Sequence, residues 1–160
     1  MRRRAGLSGT SRASELEVAA NDVWRVVANG RDRPQWYVDA APLVFRGGVD
    51  RLLGGAGRPW RPPGTPVLST GDRAGFWEVD EADHDARRLV LRAAVRAPGE
   101  VVLETLVGNL GTGRSLLVQR ISFTPSGLLG RAYLLADIGA REVVMEGVHR
   151  RLLADVRLET

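Results

Sequence analysis

The sequence predicts an α+β domain in which a curved antiparallel sheet wraps around one long C-terminal helix. Three observations lead there. Residues 72–124 divide into four segments of alternating apolar and polar residues, separated by turns rich in Asp, Pro and Gly. Residues 126–155 then carry apolar side chains at helical spacing. A run of strands followed by a helix points to α+β with an antiparallel sheet.

Each element has its own signal. In SELEVAA (14–20), Leu16, Val18 and Ala20 alternate with Glu15 and Glu17, the pattern of a half-buried strand. Asn21 reads as the N-cap of a short helix with Asp22 in its first turn. Val23, Trp24, Val26 and Val27 supply its apolar stripe, and Gly30 ends it. Residues 31–66 are irregular, with a helical turn expected at 49–53 and a proline-rich loop carrying Trp60. Strands are expected at 72–82, 88–96, 100–107 and 115–124. The glycines of GNLGTGR (108–114) join two strands and open no helix, so they read as a hairpin loop rather than a dinucleotide fingerprint. Thr124-Pro125-Ser126 starts the long helix. Its apolar face is read as Leu129, Tyr133, Ala136, Ala140, Val143, Val144, Gly147, Val148 and Leu152. Arg131, Glu142, Glu146 and Arg150 lie opposite, and Gly139 is a point where the helix can bend or split.

Composition narrows the chemistry. The chain has 160 residues, 44% hydrophobic and 26% charged, enough for one domain with a sizeable core. All 23 basic residues are arginine, which excludes Schiff-base chemistry and a lysine-bearing phosphate loop. There is no cysteine, and the two histidines, His84 and His149, lie far apart, so no metal site and no cofactor are expected. Arg2, Arg3, Arg4 and Arg12 sit in a Gly/Ser/Thr-rich start, read as a disordered basic tail over 1–13 or a junction remnant, with a single domain over 14–156. No basic motif with interleaved aromatics follows it, which argues against nucleic acid. The start lacks the apolar segment of a secretory signal, and no run approaches the roughly 20 apolar residues of a membrane span, so a cytoplasmic protein is expected.

The turns allow a register to be drawn. Pairing Arg96 with Glu100 places Arg92 opposite Glu104; a turn centred near Thr112 places Glu104 opposite Arg120; the 83–87 turn places Glu78 beside Arg92. One row across the sheet then reads Glu78, Arg92, Glu104, Arg120, with alternating signs. Glu104 therefore has a structural role available, an exposed charge ladder, beside the alternative of a general base. The other parity faces the helix and holds Trp77, Val79, Leu89, Leu91, Ala93, Val95, Leu103, Thr105, Val107, Leu117, Gln119, Ile121 and Phe123. Thr105 and Gln119 interrupt it, opposite each other. Either they satisfy one another, or both point into a ligand cavity with apolar walls. Trp36, Tyr37, Trp60 and Tyr133 are candidates to close such a cavity. The candidate ligand-binding set is Trp36, Trp77, Leu91, Thr105, Gln119 and Tyr133. Catalytic residues stay unassigned: a Ser/His/Asp triad can be assembled on paper from many residues, but nothing specifies one.

AANDVWRVVANG (19–30) resembles the opening of the START-like, or polyketide cyclase and lipid-transport (SRPBCC), superfamily. GDRAGFWEVDE (71–81), RRLVLRAAVRAPGEVVLE (87–104) and FTPSGLLGRAYLLA (123–136) resemble a bacterial domain family of unknown function within it. The resemblance implies a helix-grip fold with a deep cavity between sheet and C-terminal helix, in a superfamily that binds lipids, sterols or polyketides and includes cyclases. It also implies a possible partner, since family members occur joined to Rossmann-type reductase-like domains. The chain departs from the pattern at Thr105, where an aromatic commonly follows the acid of that strand. Three functions are therefore expected to compete. The first is binding of a small apolar or amphipathic molecule. The second is a cyclase, dehydratase or isomerase using Asp72 or Glu104. The third is an interaction module docking through the Trp60 loop.

Overall fold

The computed structural model describes residues 8–40, 54, 55, 57–94 and 99–160, excluding the side chains of Ser8 and of residues 128–139. Strand β1 (Ser8–Leu16) is followed by helices α1 (Ala20–Val27) and α2 (Trp36–Asp39). Then come β2 (Arg73–Ala74), β3 (Trp77–Asp83), β4 (Arg88–Ala93), β5 (Gly99–Gly111), β6 (Arg114–Pro125) and the long helix α3 (Gly127–Glu159). The strands form one curved antiparallel sheet in the order β1-β6-β5-β4-β3-β2. Helix α3 packs on β6 and β1 and touches α1 and α2, giving the helix-grip arrangement. It runs unbroken through Gly139, roughly 50 Å at 1.5 Å per residue. No helix among the described residues is long and apolar enough to cross a membrane.

The inner face of the sheet follows the expected parity. Trp77, Val79, Leu89, Leu91, Leu103, Thr105, Val107, Leu117, Gln119, Ile121 and Phe123 are all buried; Val95 lies outside the described residues. Period-two alternation decides this, because adjacent residues of a strand point to opposite faces.

Several expectations are corrected. The first strand begins at Ser8, within the stretch read as a disordered tail: residues 8–16 pair with β6 from Phe123 back to Ser115. The N-cap of α1 is Ala19, and Asn21 instead accepts a hydrogen bond from Arg87 Nε at 2.9 Å. The segment 72–82 is two strands, because the chain turns tightly at Gly75 (φ 63°), a left-handed conformation that favours glycine. The helical turn expected at 49–53 falls outside the described residues.

The register of β4 and β5 differs from the expected one by two residues. Arg92 faces Val102, and Val90 faces Glu104. A two-residue offset preserves the faces, so the inner set survives while the ladder changes partners. Glu78 does face Arg92, and Glu104 does face Arg120. Arg92, however, lies 3.1 Å from Asp80 and 3.5 Å from Glu78, while Glu104 accepts from Arg88 Nε at 2.7 Å.

The buried stripe of α3 is also rotated from the expected one. Arg141, Met145, Val148, His149, Leu152 and Val156 face inward, whereas Ala140 is exposed and Val143 is 69% exposed. Glu142 and Glu146 do not simply face solvent; they meet β1. Residue type alone favoured a stripe through the valines, but the polar inner side of β1 selects the carboxylates.

Candidate functional site

Inner positions of β1 are Thr10, Arg12 and Ser14. Those of α3 that meet them are Glu142, Glu146 and His149, at helical spacing on one side. Thr10 Oγ1 donates to Glu142 at 2.7 Å, Arg12 Nη2 reaches Glu142 at 2.7 Å, and Arg12 Nε reaches Glu146 at 2.9 Å. The hydrogen bond from Thr10 and the Arg12 guanidinium hold the Glu142 carboxyl below its ordinary value. Arg12 and Arg150 do the same for Glu146. This seam closes the edge strand of the sheet onto the helix.

Beyond it the seam becomes a buried chain of neutral groups. Ser14 Oγ lies 2.8 Å from His149 Nε2, and His149 Nδ1 lies 3.0 Å from Gln119 Oε1. Gln119 Nε2 donates to Thr105 Oγ1 at 3.1 Å. Thr105, Gln119 and His149 are buried, and Gln119 is completely so. The carbonyl oxygen of Gln119 accepts only, which assigns the proton of a neutral imidazole to Nδ1 and leaves Nε2 to accept from Ser14. Burial pushes the His149 pKa down, partly opposed by Glu146, so the ring is neutral at neutral pH.

The candidate residues thus separate. Thr105 and Gln119 are brought together, and to His149 and Ser14, which the sequence reading did not include. Their nearest signal was parity: Ser14 opens the expected strand on the inward face of Leu16, but nothing local says that His149 meets it. Trp36 is fully buried on α2 and donates Nε1–H to Val27 O at 3.1 Å. Trp77 is buried on β3 and donates to Tyr37 O at 2.7 Å. Tyr37 donates to Asn29 O at 2.6 Å, and burial raises its pKa, with Asp72 and Asp39 adding to the effect. These three rings tie α2, α1 and the sheet together through their polar atoms. Leu91 is buried beside them on β4. The Tyr133 side chain lies outside the described residues.

Glu104 faces away from the interior, and the half-buried Asp72 is engaged in a turn. Glu104 is on the opposite parity from Thr105 and pairs with Arg88. Asp72 accepts the Ser69 N–H at 2.7 Å in the turn before β2. His84 is exposed and accepts from Trp24 Nε1 at 3.2 Å. Trp60 is half-buried, its backbone bridged to Gly75 and its ring 5.0 Å from the Arg73 guanidinium. Among the described residues no group of three His, Asp or Glu is placed to hold a metal. An outer groove of about 440 Å³ lies by the C-terminal end of α3, lined in part by Arg25, Asn29, Val67 and Glu159.

Comparison with solved structures supports the architecture. A START superfamily protein from Mycobacterium smegmatis aligns with a TM-score of 0.53 at 13% identity, covering 95% of this chain and 99% of that one. A truncated norcoclaurine synthase from Thalictrum flavum aligns at 0.52 with 9% identity, covering 96% and 98%. A point mutant of that synthase in complex with a transition-state analogue aligns at 0.51 with 9% identity, covering 96% and 98%. No curated protein matches the chain. A family model described as "Protein of unknown function (DUF2867)" matches residues 10–147. With most of its length inside that model and its sheet wrapped on a C-terminal helix, the chain belongs to the DUF2867 family and has the START-like, helix-grip fold.

Proposed function

We propose that the protein binds a small hydrophobic or amphipathic molecule, lipid- or polyketide-like, between the inner face of the sheet and α3. One observation carries this reading: a fully buried polar pair, Thr105 and Gln119, among the buried apolar residues Leu89, Leu91, Leu103, Leu117 and Ile121. Gln119 spends one of its two N–H donors on Thr105, and the Thr105 hydroxyl accepts that bond while keeping its own O–H. Apolar walls with one or two spare polar groups are what orients an amphipathic ligand. Trp36, Trp77, Leu91 and Tyr133 complete the proposed lining. The fold fits the same reading, since the synthase it resembles accommodates a transition-state analogue. A cytoplasmic location is part of the proposal. A cyclase or dehydratase working through Asp72 or Glu104 is not, because Glu104 pairs with Arg88 on the outer face and Asp72 is engaged by the Ser69 N–H in a turn. A reductase-like partner lacks support, because Trp60 is covered by Arg73.

The test is native mass spectrometry of the purified protein, followed by denaturing extraction and titration with a dansyl-labelled fatty acid. A released apolar molecule, or saturable probe binding weakened in Thr105→Val, is expected. Absence of both overturns the reading.

A further inference from the structure

We propose that Ser14, His149 and Gln119 form a nucleophile, base and orienting group that together hydrolyse esters of apolar acids. This goes beyond retaining a ligand, because it assigns bond-breaking chemistry to residues that the binding reading uses only in part. The geometry is that of an activated hydroxyl. Ser14 Oγ is 2.8 Å from His149 Nε2, and Gln119 Oε1 holds the far side of the ring at 3.0 Å. Gln119 is in turn held by Thr105. Among the described residues nothing else in the β1–α3 seam has this form. Thr10 and Arg12 end on carboxylates, which are acceptors with no proton to relay. The serine pair instead continues through both ring nitrogens. Ser14 is half-buried on the edge strand, whereas His149 and Gln119 are buried behind it. Ser14 is thus the least buried residue of the chain, the side from which a substrate would enter.

The step balances without a further reactant except water. Ser14 Oγ attacks the ester carbonyl as its proton passes to His149 Nε2. The carbonyl carbon–oxygen bond to the leaving alcohol breaks, and His149 returns the proton to that oxygen. Water, deprotonated by His149, then releases the acid and restores Ser14. Gln119 is a positioning residue here: its carbonyl fixes the tautomer but carries no charge to stabilise the imidazolium. Activated esters with apolar acyl chains are therefore the substrates expected to react fastest. The acyl preference rests on the binding reading above, in which the ligand lies against the apolar inner face that includes Leu103 and Leu117.

The experiment is labelling with an alkyl fluorophosphonate, in which the Ser14 Oγ–phosphorus bond forms and fluoride leaves, read by intact mass and peptide mapping. One adduct at Ser14 is expected, absent in Ser14→Ala and slower by about 100-fold in His149→Gln, the usual size of a general-base contribution. Hydrolysis of p-nitrophenyl octanoate should exceed that of the acetate. Gln119→Glu places a carboxylate against the imidazole and should move the pH profile of labelling upward by about one unit or more. A merely structural Gln119 would not move that profile. Thr10→Val alters the seam without touching the chain and should label normally. No adduct at Ser14 in the folded wild type, or a rate unaffected by His149→Gln, overturns the proposal. Probe binding without an adduct overturns this proposal alone. An adduct with neither saturable probe binding nor a released apolar molecule supports it and removes the binding reading.

Discussion

His149 shows how one side chain takes its character from its neighbours. On an exposed helix it would titrate near 6.5; here burial lowers its pKa, and hydrogen bonds to Gln119 and Ser14 set its tautomer. Gln119 is the centre of this chain. Gln119→Leu would leave the His149 Nδ1–H without its acceptor and the Thr105 hydroxyl without its donor. A loss of about 1–3 kcal/mol is expected, the cost of a buried polar group left unpaired. Urea unfolding checks it, and an unchanged midpoint would mean the chain carries no stability. The opposition of Thr105 and Gln119 was legible in the sequence, because a hairpin turn determines which residues face each other. His149 was not, because its hydrogen bond to Ser14 spans 135 residues and depends on how α3 is rotated.

Strands were more legible than helices. Alternation with period two leaves one choice of inner face, whereas the apolar residues of α3 allowed more than one stripe. The stripe realised carries His149 inward onto Ser14, with Glu142 and Glu146 on Thr10 and Arg12, because β1 offers polar partners to that side of the helix. The hairpin between β5 and β6 closes on Thr112 and Gly113, whose φ angles of 51° and 74° suit the right-handed twist of the flanking strands. At the far end of the same pair, Gly99 faces Pro125, and the backbones approach too closely for a side chain. An added Cβ would lie 2.5 Å from Thr124 O and 2.6 Å from the Phe123 ring. Gly99→Ala should therefore open the start of β5. Faster amide exchange at residues 99–102, with a lower melting temperature, is the expected result; unaltered exchange would contradict it.

At the scale of the molecule, the β1–α3 seam sets how the fold responds to acid. The folded-state pKa of His149 lies below its ordinary 6.5. Between the two values the unfolded chain binds the extra proton, so stability rises with pH across that window and falls as pH drops below about 6.5. Glu142 and Glu146 are held below 4.5, so their contribution is present above that value and fades as pH falls beneath it. Urea midpoints measured from high to low pH should show a plateau above 6.5 and two successive declines. His149→Gln should lose the first and keep the second. A single decline in the wild type would contradict this. The sequence by itself determined the run of strands before one long C-terminal helix, the inner face of β3 to β6 and the opposition of Thr105 to Gln119, since these depend on local period and turn geometry; it did not show α2 within 31–66 or the split of 72–82 into β2 and β3. Only the tertiary structure decided the rotation of α3, the extent of β1 and the meeting of Ser14 with His149. Those depend on which surfaces fit when distant segments pack, and no local pattern carries that information.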